Sequence, residues 1–158
     1  MPNNEPGWVH WLFNNPLFFV LYFVALWILV SYVTGLLSGW VILSRRFRDS
    51  GAFYSYQWPF QSVRLGTLFG RYSNCANFGA DEAGLYMAVF PIFRIGHPPL
   101  FIPWAEIQVV SGNSGLIFKK RKLLLGRREL IPLVVSVSLA EKLKEAAGQA
   151  WPVETNDI

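Results

Sequence analysis

The chain has 158 residues, of which 53% are hydrophobic, 16% aromatic and only 15% charged, where an ordinary soluble domain carries about 25% charge. Its 14 Lys and Arg against 10 Asp and Glu leave a net charge of +4, and the single cysteine, Cys75, excludes an intrachain disulfide. Such a length holds one small domain beside a membrane segment, but not two.

Residues 1–16, MPNNEPGWVHWLFNNP, contain no Lys or Arg, so they lack the basic start of a secretory signal. From Leu17 through Ser44 the chain carries no charge. A helix needs about 20 apolar residues to cross a hydrocarbon core of roughly 30 Å. The segment 17–44 is therefore predicted as one transmembrane helix, long enough to tilt or protrude. All the cations follow it, beginning with Arg45, Arg46 and Arg48. The positive-inside rule then puts residues 1–16 outside and the C-terminal part in the cytoplasm. Trp8 and Trp11 suit the outer interface, and Trp40 with Arg45, Arg46 and Arg48 the inner one. His10 sits among the outer aromatics and is read as a wet interfacial side chain, with porphyrin or metal ligation as the alternative. Within the span, Ser31, Gly35 and Gly39 recur every four residues. A row of small residues lets a second helix approach closely, which predicts self-association or docking onto another membrane subunit.

Residues 45–59 form a connector. Asp49, Ser50 and Gly51 break the helix and Pro59 prevents its continuation. Phe53, Tyr54, Tyr56, Trp58 and Phe60 follow closely, and they either pack on the domain or lie along the bilayer surface.

From residue 60 the pattern is that of strands. Segments 62–69, 72–79, 84–93, 99–110, 115–125 and 129–136 are short, aliphatic and aromatic, and bounded by Gly, Pro, Asn or Asp. Turns are expected at 79–84, 96–99 and 112–115. With no helices between, this is an antiparallel meander. The stretch 85–103 is apolar, but Pro91, Arg94, Gly96 and His97 interrupt it, so it is read as a strand hairpin rather than a second span or re-entrant loop. Pro91 and Pro103 lack an amide donor and belong at an edge or bulge. Ser138-Leu-Ala-Glu141 has the form of a capping box, and Leu139, Leu143 and Ala147 recur at helical spacing. Gly148 and Pro152 end that helix, and of the tail 151–158 the last six residues, VETNDI (153–158), are expected to fray.

A meander closed by one amphipathic helix, carrying Gly84-Leu85-Tyr86 and later Ile102-Pro103-Trp104-Ala105-Glu106-Ile107, resembles the bacterial PH-like domains, related in shape to pleckstrin-homology and GRAM domains. The resemblance covers about 60–150. It implies one transmembrane helix plus a small, mainly-β PH-like domain with a C-terminal helix, held at a bacterial inner membrane.

No catalytic constellation is visible. His10 and His97 fall on opposite sides of the predicted membrane, Asp81 and Glu82 sit in a turn, and Glu106 has no obvious partner. The chain is read as a non-enzyme that needs no cofactor or metal. Two features remain. Lys119, Lys120, Arg121, Lys122, Arg127 and Arg128 form a basic hairpin, and a cation near an anionic leaflet contributes roughly 1 kcal/mol. The expected function is non-catalytic binding of anionic lipid or a protein partner at the membrane, with a merely solvated hairpin tip as the bland alternative. The Ser31–Gly39 row supports a different reading, a small accessory subunit of a larger membrane complex. Nucleic acid is not expected, since no recognition motif is present.

Overall fold

The computed structural model describes residues 7–8, 15–49, 56–66, 70–111 and 120–156. Helix α1 runs Pro16–Leu37. The Asn15 side chain caps it by accepting from the Leu17 amide at 3.1 Å. Pro16 fills the first turn, where a missing N–H costs nothing. By length and composition α1 is able to cross a membrane, with a mean hydropathy of 2.3. It is apolar on every side and buries only Ser31 and Gly35, whereas a core helix of a soluble protein buries a continuous stripe.

The helix ends earlier than the sequence suggested. The Ser38 amide bonds back to the Thr34 carbonyl at 2.9 Å, and Gly39 turns left-handed at φ +84°, the usual way to stop a helix. A second helix, α2, follows over Trp40–Phe47. The predicted single span 17–44 is thus two helices with a sharp joint. Trp40 is not an interfacial anchor: together with Leu43 it is buried in the core of the β-domain. The turn at Gly39 is the reason. It reorients the chain so that Trp40 and Leu43, three residues apart and on one helix face, meet the strands.

Those strands are β1 (Tyr56–Leu65), β2 (Arg71–Ala80), β3 (Gly84–Val89), β4 (Leu100–Pro103), β5 (Ile107–Ser111), β6 (Lys120–Leu125), β7 (Ile131–Ser136) and β8 (Glu154–Asn156), with helix α3 at Val137–Ala147. They form one curled sheet in the order β4-β3-β2-β1-β7-β6-β5-β8. Two antiparallel meanders, β1 to β4 and β5 to β7, are joined where β1 pairs β7. The pattern of β7, with Ile131, Leu133 and Val135 inward, is the alternation that a half-buried strand requires. Leu123 and Leu125 of β6 and Phe78, Leu85 and Met87 of the first meander complete the core.

Several boundaries differ from expectation. The run 84–93 ends at Val89 because Pro91 opens a single 3-10 turn, Pro91–Phe93. The run 99–110 is cut by a second such turn, Trp104–Glu106, directly after Pro103. β1 begins at Tyr56, inside the predicted connector. The tail is partly ordered, since β8 pairs in parallel with β5. The cap of α3 is Ser136 rather than Ser138; its hydroxyl accepts from the Leu139 amide at 3.2 Å. Leu139, Leu143 and Ala147 face the core as their spacing required. The turn at 79–84 is present, with the Asp81 carboxylate accepting from the Ala83 and Gly84 amides. Trp11, His10, Phe53, Tyr54, the turn at 112–115 and Lys119 lie outside the described residues.

Candidate functional site

The row of small residues on α1 faces inward, toward the chain's own β3–β4 loop. A Cβ placed on Gly35 would lie 2.6 Å from the Gly96 carbonyl oxygen, and one on Gly96 would lie 2.9 Å from Tyr32 Cα. The two backbones are therefore in direct contact. At Gly39 the neighbour is Ile131, 2.9 Å from an added Cβ. This face of α1 is filled from within the chain.

Below that contact lies a buried polar chain. The His97 Nδ1 atom is 3.1 Å from the Ile95 carbonyl oxygen, which only accepts, so Nδ1 carries the proton and Nε2 is the acceptor. Tyr72 donates to Nε2 at 2.9 Å, and the Ser38 hydroxyl lies 2.8 Å from the Tyr72 oxygen and 3.2 Å from the Gly35 carbonyl oxygen. Burial lowers the His97 pKa and pushes that of Tyr72 up to about 12, so both are neutral at pH 7. The indole N–H of Trp40 donates to the Pro98 carbonyl at 2.8 Å, and its ring packs against Tyr72 and His97. Higher on α1, Trp27 donates to the Ile92 carbonyl at 3.4 Å and packs against the Phe93 ring at a tilt, with centroids 5.2 Å apart.

The basic residues do not form one cluster. Lys120 and Lys122 occupy the outer face of β6 near its start, partnered with Ser136 and Val134. Arg121 points the other way and pairs with Glu154 of β8 at 3.1 Å. Arg127 and Arg128 stand beyond the far end of β6, which itself spans about 17 Å from Lys120 to Leu125 at 3.4 Å per residue.

There they meet the cations that follow α1. Arg45, Arg46, Arg127 and Arg128 line one open groove of about 640 Å³, with Ile42, Leu43 and Phe47 on the α2 side and Glu129 at the turn. Two contacts hold the walls. Gly126, at φ +86°, donates its amide to the Glu106 carbonyl at 2.8 Å, and the Arg127 Nε donates to the Ala105 carbonyl at 3.2 Å. Glu106, for which the sequence offered no partner, pairs with Arg46 at 2.9 Å across sixty residues of chain. Four arginines and Glu129 therefore line a concavity whose α2 wall starts three residues after α1 ends, with Glu106 paired to one of the four. Planar guanidinium forks suit bidentate bonding to phosphate or carboxylate.

Arg48 is exposed and its backbone bridges Leu100; Trp8 is exposed. Sequence reading missed the Tyr72–His97 pair and the role of Gly96. The available signal was the Gly96-His97-Pro98-Pro99 turn itself, which supplies a second small residue to match the glycine row. Among the described residues no group of three or more His, Cys, Asp or Glu is placed to hold a metal. No family model matches the chain, and neither a curated protein nor a solved structure matches it.

Proposed function

We propose that this is a single-pass membrane protein whose PH-like β-domain binds anionic phospholipid headgroups, without catalysis, in the Arg45/Arg46/Arg127/Arg128 groove. The observation that carries the reading is the convergence of these four arginines beside the end of an apolar helix. Headgroup phosphates lie just outside the hydrocarbon boundary, and Arg45 and Arg46 follow Leu37 by eight and nine residues. Each such cation contributes roughly 1 kcal/mol toward an anionic surface.

Other features support the parts of this proposal. The two antiparallel meanders with a closing helix have the layout that the PH-like resemblance implies. Retention of α1 as an anchor is favoured because Ser31, Gly35 and Ser38 are packed into the domain, so removing the helix would uncover Gly96, Tyr72 and His97. The cations all follow α1, which favours a cytoplasmic domain at a bacterial inner membrane. The accessory-subunit reading is weaker, because the glycine face on which it rested is occupied internally.

The test uses full-length protein in mild detergent with short-chain phosphatidylglycerol, phosphatidylcholine and inorganic phosphate as ligands. Phosphatidylglycerol should bind in a salt-sensitive way, since attraction is screened within about 10 Å at 0.1 M, and Arg127→Gln/Arg128→Gln should remove most of it. Phosphate binding alone would mean a soluble anion site. Equal binding of phosphatidylcholine would overturn the headgroup reading.

A further inference from the structure

The length of α1 and its contact with the β3–β4 loop together set a depth. With 22 residues α1 is about 33 Å long at 1.5 Å per residue, against a hydrocarbon core of about 30 Å. Asn14 and Asn15 precede it, and the core cannot begin earlier without taking their amides out of water. A spanning α1 therefore uses almost its whole length, and the second boundary falls close to Leu37. The loop touches the helix well inside that boundary. Tyr32, beside Gly96, and Trp27, beside Ile92 and Phe93, precede Leu37 by about 8 and 15 Å along the axis. A tilt of about 20° changes these depths by only about 1 Å.

We propose that the β3–β4 loop, Phe90–Gly96, enters the same leaflet as the C-terminal half of α1 and is covered there by lipid acyl chains. The inference rests on α1 spanning the membrane. The side chains suit it. Ile92 is 58% exposed, Phe90 and Ile95 are each 42% exposed, and Phe60, 59% exposed, lies tilted beside Phe90 with ring centroids 6.3 Å apart. Together they continue the apolar surface of α1. Arg94 carries the one charge of the segment Phe90–Gly96, and a long cationic side chain extends toward the headgroups from such a depth.

The backbone suits it as well. Irregular chain is tolerated at membrane depth only where its polar groups are satisfied within the protein. Pro91, Pro98 and Pro99 have no N–H. The amides of Phe90, Phe93, Arg94 and His97 bond to the carbonyls of Cys75, Phe90, Pro91 and Arg94, while those of Ile92, Ile95 and Gly96 find no such partner among the described residues, so the loop is satisfied in large part and not throughout. The carbonyls of Ile92, Ile95 and Pro98 accept from Trp27, His97 and Trp40, and that of Pro99 from the Asp49 amide.

The experiment places an environment-sensitive fluorophore at Ile92→Cys and, separately, at Leu26→Cys on α1, both in full-length Cys75→Ala protein reconstituted in phosphatidylcholine–phosphatidylglycerol vesicles. Nitroxides on the acyl chain or on the headgroup, and aqueous iodide, are the quenchers. Insertion predicts a blue-shifted Ile92 label quenched more by acyl-chain than by headgroup nitroxide and protected from iodide, like the Leu26 label. If the Leu26 label behaves so while iodide quenches the Ile92 label, insertion is overturned and the span stands. If iodide quenches both, the span itself is wrong and the insertion falls with it.

Discussion

The seam between α1 and the β3–β4 loop and the arginine groove beside α2 lie within a few residues of each other along the chain, yet they are built in opposite ways. The seam is closed: glycine backbones touch, and each polar group of Ser38, Tyr72 and His97 has a partner inside the protein. The groove is open, and its guanidinium groups are largely exposed. Close packing makes a site expensive to alter and fixes one arrangement, whereas open charge contributes little to stability and keeps its interaction free energy for a ligand. On this comparison the seam fixes one arrangement of α1 against the β-domain, and the groove leaves its charge open to solvent. Substitutions should separate the two, with stability lost in one place and binding in the other.

The largest loss is expected at Trp40. Its side chain is fully buried and its indole donates to Pro98, so Trp40→Ala should cost about 3–5 kcal/mol, as for other buried Trp or Phe truncations. Denaturant unfolding of the full-length protein in detergent measures it. By the same argument a fragment beginning near Gln57 lacks both Trp40 and Leu43 and should not fold. A stable, cooperative fragment would show that α2 is an accessory to the core and not part of it.

Gly35→Ile comes next. The obstacle is the Gly96 carbonyl, which is backbone and does not swing aside, so the overpacking should cost roughly 1–3 kcal/mol. Unfolding should shift while oligomer size does not. Dissociation of an oligomer at unchanged stability would return the glycine row to helix–helix pairing and dissolve the contrast between seam and groove.

These two sites also show what was legible in the sequence. The apolar run, the strand segments and the inward face of α3 follow from periodicity and length, which are local signals. The joint at Ser38–Gly39 was not read, because a glycine within an apolar run looks alike whether it admits a second helix or turns the chain. Composition alone points Trp40 to the interface, and only the turn reveals that it faces the strands. At the site, the arginines were visible but their grouping was not. Arg127 and Arg128 were joined to Lys120 and Lys122 by sequence distance, whereas an extended β6 carries the two pairs apart and α2 brings Arg45 and Arg46 in. Glu106 and Arg46 likewise meet only through the fold, and the pairing of Arg121 with Glu154 requires a strand in a tail that was expected to fray.

A smaller effect is expected from pH. His97 is buried and its folded pKa lies below 6.5, so on acidification the unfolded chain takes up this proton first. Stability attributable to His97 is therefore whole above about pH 6.5 and falls as pH drops below it, until the lower folded pKa is reached. Tyr72, at about 12, stays neutral throughout. Between pH 7.5 and 5.5 the melting temperature of the wild type should fall more steeply than that of His97→Gln, which has no proton to gain. Parallel slopes would mean that His97 is protonated in the fold or solvated by opening of the seam, and the seam would lose its closed character.

The smallest effect on stability, and the clearest on binding, belongs to the groove. Arg127 and Arg128 are exposed at the β6–β7 turn, so changing both to Gln should move unfolding by no more than about 0.5 kcal/mol. If each contributes roughly 1 kcal/mol toward an anionic surface, affinity for phosphatidylglycerol should fall about thirtyfold. Lys120→Gln/Lys122→Gln removes the same charge from the far end of β6 and serves as the control. A general field of positive charge would make the two double variants equivalent at low salt, because neither would be more than an increment of net charge. A groove that holds the headgroup among four guanidinium groups makes them unequal, and keeps them unequal at 0.15 M salt, where screening over about 8 Å suppresses the distant pair but not the one in contact. Titration of both variants at 0.02 M and 0.15 M salt separates these cases. Equal losses at both salts would reduce the groove to part of a diffuse basic surface and leave the seam as the molecule's one built site.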